Sequence, residues 1–270
     1  MDVKLLHFTP LWVCAQAIRT AWASQGKSDT FTELCCPICG DTEFVDAPKG
    51  DARLHHCNEC GTTFNYPVEQ LAAGEADKAL IARVGNKFKH GSTLEHLVYT
   101  FDITAFSRAV LQELSRHRMA SPTVKSTRYT LSELKDEPPF TPTSMGQDLQ
   151  ILNEDTEIAL EDTEIYQRAS KYVKFTGDNM IDWIIIRQLE NLRYVVAEKK
   201  GKANDKTKYV LPDAYLTSEV LTINARSLQN LLSLRTDKSA LWEFRDLANA
   251  MYQALPDDHK YLFDEFVKGD

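Results

Sequence analysis

Two cysteine knuckles place the tightest limit on how this chain folds. Cys-Pro-Ile-Cys-Gly at 36–40 and Cys-Asn-Glu-Cys-Gly at 57–61 repeat one spacing, with seventeen residues between Cys39 and Cys57. Thiolates of Cys36, Cys39, Cys57 and Cys60 so placed suit a tetrahedral zinc site. Each knuckle ends on a glycine, Gly40 or Gly61, where the turn favours positive φ. Two redox dithiols or a disulfide pair compete with zinc; the doubled spacing and an expected cytosolic setting favour the metal. Only short strands fit between the knuckles. Residues 33–66 therefore read as a zinc ribbon, too small to fold without its ion, inserted into a larger domain made of residues 1–32 and 67–270. Cys35 is left as a spare thiol, and His55 and His56 as bystanders.

The net charge of −8 argues against broad nucleic-acid or membrane-surface binding, which needs extended positive surface. The ribbon shares this character: Lys49 and Arg53 stand against Asp41, Glu43, Asp46, Asp51 and Glu59. No run approaches a transmembrane helix, and MDVKLLHF lacks the apolar core of a signal peptide, so a cytoplasmic protein is expected. Against this acidic background, Arg116 to Tyr129 concentrates Arg116, His117, Arg118, Lys125 and Arg128 among short hydroxyls. A solvated basic face and a local anion site both fit that composition; guanidinium forks and hydroxyls are the groups that grip phosphate.

Periodicity organises the rest. Thr9-Pro10 reads as the start of a helix with Thr9 as its cap, and Leu11, Cys14, Ala15, Ile18 and Trp22 form its buried stripe. Residues 67–89 read as a second helical stretch. Leu97, Tyr99, Phe101 and Ile103 alternate as a half-buried strand leading into a helix through Leu114, and Pro122 predicts a loop for the second half of the basic segment. Residues 135–146 read as a surface excursion, 148–198 as helical, and 198–208 as a solvated loop. Ser-Glu-Val-Leu-Thr-Ile-Asn-Ala-Arg at 218–226 reads as a strand with Thr222, Asn224 and Arg226 on one face and Ser227 capping the next helix. The closing helices read as packing elements.

Arg116-His117-Arg118, seven residues, then Ser126 resembles the signature of the flavin-dependent thymidylate synthases. Three further segments resemble that family in order: His90–His96 (HGSTLEH), Lys208–Pro212 (KYVLP) and Ile223–Arg235 (INARSLQNLLSLR). The resemblance covers the chain apart from the ribbon, which the family does not generally carry. It implies an α+β fold, an antiparallel sheet flanked by helices, and a homotetramer with active sites between subunits. It also implies reductive methylation of dUMP to dTMP, with 5,10-methylenetetrahydrofolate as one-carbon donor and NADPH-reduced FAD as hydride source.

By motif match, His90, Arg116, His117, Arg118, Asn224, Arg226 and Asn230 would hold FAD. Glu113, Arg116, Lys125, Ser126, Thr127, Arg128, Lys208 and Arg235 would line the dUMP site, with Ser126 and Arg128 near its phosphate. Arg235, at the uracil ring, is the catalytic candidate. Ser126 is a second, but it has no base partner in the motif, so phosphate binding is its expected role. The matched blocks contain no cysteine for thiolate activation of the ring. Thr123 and Val124 stand where the family often has Asn-Glu, Lys208 where it has arginine, and Ser239 where it has histidine. The alternative is a catalytically inactive scaffold that uses the ribbon as a binding module; a flavin absorbance band separates the two.

Overall fold

The computed structural model describes residues 1–46, 54–64, 67–140, 164–200 and 204–268. In chain order come β1 (Asp2–Phe8), α1 (Leu11–Ala21), β2 (Phe31–Cys35), β3 (Phe44–Asp46), β4 (His55–Cys57), β5 (Thr63–Phe64) and β6 (Val68–Ala72). There follow α2 (Glu75–Ile81), α3 (Gly91–Leu94), β7 (Val98–Ser107), α4 (Arg108–Leu114), β8 (Ala120–Val124) and α5 (Thr127–Thr130). The chain closes with α6 (Glu164–Ala169), α7 (Asn179–Lys199), α8 (Asn204–Thr207), β9 (Leu216–Asn224), α9 (Ala225–Arg235), α10 (Trp242–Gln253) and α11 (Asp257–Lys260). Among the described residues no helix is long and apolar enough to cross a membrane.

An antiparallel sheet in the order β1-β7-β9-β8, flanked by helices, carries the fold, as the α+β expectation requires. The alternation in β7 decides which face is covered. Tyr99, Phe101 and Ile103 are fully buried, with Leu221 and Ile223 of β9 beside them, under apolar side chains of α1, α4, α9 and α10. Each such side chain contributes roughly 1.5–3 kcal/mol by leaving water. A second core, built on Leu131, Phe140, Ile186 and Leu189, packs under α7.

The arm between α1 and α2 has a stem, β2 paired with β6, and a head in which β4 lies between β3 and β5. Its root is fixed by charge. Arg19 and Asp77 form a buried ion pair, and the Ser28 and Thr30 hydroxyls donate to the same carboxylate. Asp29 accepts from the backbone N–H groups of Ala76 and Asp77 and so caps α2. A Cβ on Gly74 would collide with Asp29, which explains glycine there.

Several local expectations are corrected. Thr9 does not cap α1; Pro10 holds the cap position, and Thr9 Oγ1 instead accepts from the Val98 N–H. Leu11, Cys14, Ala15 and Ile18 are buried, but Trp22 is 64% exposed. Val68–Ala72, read as helix, is a strand because β2 offers it a partner. Pro122 sits in β8 and not in a loop: β8 is an edge strand, where a missing N–H costs no ladder bond on its open side. The strand β9 ends at Asn224, whose Oδ1 accepts from the Ser227 N–H, so Asn224 is the helix cap and Arg226 already lies in α9. Within 148–198 the chain breaks at Gly177, with φ of 82°, before Asp178 caps α7. The excursion beyond 140, the start of the helical stretch at 148, and Lys49, Asp51 and Arg53 of the ribbon lie outside the described residues.

Glu219, paired in register with Ile103 and Val124, is 3% exposed, and neither carboxylate oxygen has a hydrogen-bond partner. Burial pushes its pKa up to about 7. The folded state therefore favours the neutral acid. The stabilisation is complete below the unfolded value near 4.5 and is lost as pH rises through about 7. Glu219→Gln should gain about 2–3 kcal/mol relative to wild type between pH 4 and pH 8. Denaturant unfolding of both proteins at the two pH values checks this; parallel pH profiles would dismiss it.

Candidate active site

A cleft of about 670 Å³ opens where the exit of α4 meets α9. The last turn of α4 tightens as the N–H groups of Arg116 and His117 bond to the carbonyls of Glu113 and Leu114, delivering Arg116, His117 and Arg118 to one wall. The opposite wall is one face of α9: Arg226, Asn230 and Leu234 recur every four residues, with Ser227 and Arg235 beside them. Six of the expected residues thus share one cleft: Arg116, His117, Arg118, Arg226, Asn230 and Arg235.

Arg235 is the best-held of these. Its Nε–H donates to His117 Nε2 at 3.2 Å, its Nη1 lies 3.0 Å from Glu113 Oε2, and its guanidinium carbon stands 4.6 Å from the centroid of the Phe244 ring. Glu113 also approaches Arg116 Nη1 at 3.4 Å. Burial, then the Arg235 charge, push the His117 imidazole down to about 4, against the opposing pull of Glu113. It is neutral near pH 7.

Arg226 pairs with Glu95 at 2.7 Å and lies across the bare α-carbon of Gly91, where a Cβ would come within 2.9 Å of its Cδ and Nε. His90 precedes that glycine at the start of α3, exposed and near Phe88, so it reaches the site as the neighbour of the residue under Arg226. Glu95 and Phe244 were missed by sequence reasoning. Glu95 is the lone acid of the HGSTLEH segment, a signal that was available. Phe244 lies on a closing amphipathic helix, where the sequence pattern shows only packing.

The remaining expected residues gather elsewhere. Lys125, Ser126 and Thr127 follow the far end of β8, roughly 20 Å along the strand from Arg118. Lys125 pairs with Glu133 at 3.2 Å beside a smaller cavity of about 190 Å³. Ser126 precedes α5 without making a side-chain capping bond. Lys208 is exposed and directly follows α8, which packs on α5, so it lies beside the same turn. The side chain of Arg128 lies outside the described residues. One chain therefore carries two groups of the expected residues at opposite ends of β8, a strand exposed from Ser121 to Val124.

In the arm, Sγ atoms of Cys36, Cys39, Cys57 and Cys60 all lie within 4.8 Å of one another. Gly40 and Gly61 hold φ of 78° and 68°, and their N–H groups bond to the carbonyls of Cys36 and Cys57. Thiolates around a tetrahedral zinc at about 2.3 Å stand just under 4 Å apart, so the donor set fits that ion.

The family model described as "Thymidylate synthase complementing protein" matches residues 4–258. A flavin-dependent thymidylate synthase of Campylobacter jejuni is 43% identical over 270 residues, covering 100% of this chain and 99% of that protein. One from Wolinella succinogenes is 41% identical, covering 97% of each. A crystal structure of thymidylate synthase X from Helicobacter pylori with FAD and dUMP is 39% identical, covers 100% of both chains and has a TM-score of 0.73. The inactive-scaffold alternative finds no support in these matches.

Proposed function

We propose a residue-by-residue assignment for this chain, which belongs to the family of flavin-dependent thymidylate synthases and is an enzyme of that class. The carrying observation is the cleft in which Arg116, Arg118, Arg226 and Arg235 outnumber two carboxylates, Glu95 in the lining and Glu113 paired with Arg235 and Arg116. A group bearing a pyrophosphate suits that charge, and the Gly91 cradle gives Arg226 a fixed bed beside it. Arg116, His117, Arg118, Arg226 and Asn230 would hold FAD, with His90 at the rim; Asn224 serves through the helix cap that starts their shared wall. Bound FAD, reduced by NADPH, would supply the hydride, and 5,10-methylenetetrahydrofolate the one-carbon unit.

The dUMP site would be made of both groups. Glu113 and Arg235 lie at the cleft, while Lys125, Ser126, Thr127, Arg128 and Lys208 sit at the far end of β8. A single chain does not join them, so the reading requires a second copy to lay its β8 end against the first copy's cleft. The exposed edge strand suits such an assembly, a homotetramer with sites between subunits. Within it Arg235 would donate to a uracil carbonyl oxygen and stabilise the charge that builds there as the ring reacts. None of the cleft's lining residues is a cysteine, in keeping with activation that uses no thiolate. Zinc would be a structural ion of the 33–66 module, held by Cys36, Cys39, Cys57 and Cys60, and the dUMP chemistry implies a cytoplasmic setting.

Release of tritium from carbon 5 of labelled dUMP tests the reading. Turnover should require FAD, NADPH and the folate together. Ser126→Ala should raise KM for dUMP about ten-fold or more with kcat within a few-fold, the loss of one hydrogen bond to a charged phosphate. A variant that bound dUMP normally and had no turnover would make Ser126 a chemical participant and overturn its phosphate role.

A further inference from the structure

We propose that Phe244 is a positioning residue of the cleft, whose ring locks Arg235 and His117 together so that His117 meets its ligands through Nδ1–H. Phe244 is fully buried and does not line the cleft itself. Its face carries the Arg235 guanidinium at 4.6 Å, and its ring meets the His117 imidazole at 5.9 Å with planes 81° apart. One ring thus touches the residue from each wall: Arg235 from α9 and His117 from the exit of α4.

The ring is itself held in register. Glu243, the preceding residue, is buried and accepts from the Ser107 N–H at 2.9 Å and the Ser107 hydroxyl at 2.5 Å. Ser107 is the N-cap of α4, its hydroxyl accepting from the Val110 N–H. The start of α10 is therefore tied to the start of the helix whose far end delivers His117.

The tautomer follows from donor inventory. Arginine can only donate, so the 3.2 Å contact from Arg235 Nε requires a lone pair on His117 Nε2. A neutral imidazole with Nε2 unprotonated carries its proton on Nδ1. The ring is neutral near pH 7 because burial and Arg235 lower its proton affinity, with Glu113 alone opposing them and Arg116 adding to the effect. In water a free imidazole has no such partner and exchanges between the two forms. The ordered form here depends on Arg235 keeping its angle, and the aromatic face under the guanidinium sets that angle.

Nitrogen-15 spectra of ring-labelled FAD-loaded protein, with the His117 signal assigned by its loss in His117→Gln, read the tautomer directly. The expected result is an Nδ1–H ring for His117 in wild type. Phe244→Leu fills the space without offering a face; it should give an exchange-averaged ring and a kcat for tritium release lowered about ten-fold, and Phe244→Tyr should restore both. An Nε2–H ring in wild type would overturn the proposal, as would Phe244→Leu protein with an unchanged ring signal and kcat. The inference rests on the flavin and nucleotide reading of the cleft, but the spectra need no turnover. An ordered Nδ1–H ring in protein without tritium release would fail that reading alone, and an active enzyme with an Nε2–H ring would fail this one alone.

Discussion

Arg235→Ala should lower kcat for tritium release by about 10²–10³-fold while leaving the protein folded and yellow. The magnitude is that of removing one preorganised donor from a developing oxyanion. The selectivity follows from geometry. Arg116, Arg118, Arg226 and Asn230 still line the cleft, so flavin affinity survives. The lost side chain is mostly buried, at 17% exposure, but Glu113 retains Arg116 at 3.4 Å and is not left without a cation. Arg235→Lys should recover less than about ten-fold of the loss. An ammonium keeps the charge but cannot donate to His117 from a planar fork while also meeting Glu113. Measured kcat and flavin absorbance decide the matter: kcat within three-fold of wild type in the alanine variant would remove Arg235 from the chemistry.

What the sequence made legible, and what it hid, divides along physical lines. The strand through Leu97, Tyr99, Phe101 and Ile103 was readable because one face of β7 is covered and alternation is the direct trace of that. The knuckles were readable because four thiols that gather within 4.8 Å of one another come from a repeated fixed spacing. The arginine cluster was readable because cation density in an acidic chain has few uses. Elements made by a distant partner were not. Val68–Ala72 contains good helix formers and becomes a strand only because Phe31–Cys35 folds back onto it. The strand Asp2–Phe8 pairs with β7 nearly a hundred residues on, and its weak alternation gave no local warning. Asn224 illustrates a finer limit: strand alternation and helix capping compete for the same residue, and the capping bond to Ser227 ended the strand two residues before Arg226. Phe244 was hidden because a buried aromatic on an amphipathic helix reads the same whether it fills space or carries an arginine.

The proposed pairing of copies bears on Thr123 and Val124, which stand where the resembled family often has Asn-Glu. Both side chains sit on β8, exposed in the single chain, between the cleft and the Ser126 turn. In the proposed assembly their surroundings would be set by the copy that covers that edge. Contacts there would then belong to the assembly and could be replaced from the other side of the interface.

Cys57→Ser is expected to abolish zinc binding and unfold the head of the arm while sparing the cleft. The head's apolar core is Phe64, packed with Cys36 and Cys57 and edged by Phe44, which contributes only about 5 kcal/mol. Ordering its backbone costs roughly 1–2 kcal/mol for every residue fixed, so burial alone falls well short. A four-thiolate zinc, at about 10 kcal/mol or more, reverses that balance. Cys57 is fully buried and ends the central strand of the head, so its loss leaves three thiolates around the site. The damage should stop at the stem, because the root is secured from the main domain by Arg19, Asp77 and the Asp29 cap on α2. Elemental analysis should give one zinc per chain in wild type and none in the variant. Limited proteolysis should cut the variant between residues 36 and 64 while flavin binding persists. A wild type without zinc, or a chelated wild type whose head resisted protease as well as the loaded protein, would return the four thiols to a purely packing role, and a variant that kept its zinc would remove Cys57 from the donor set.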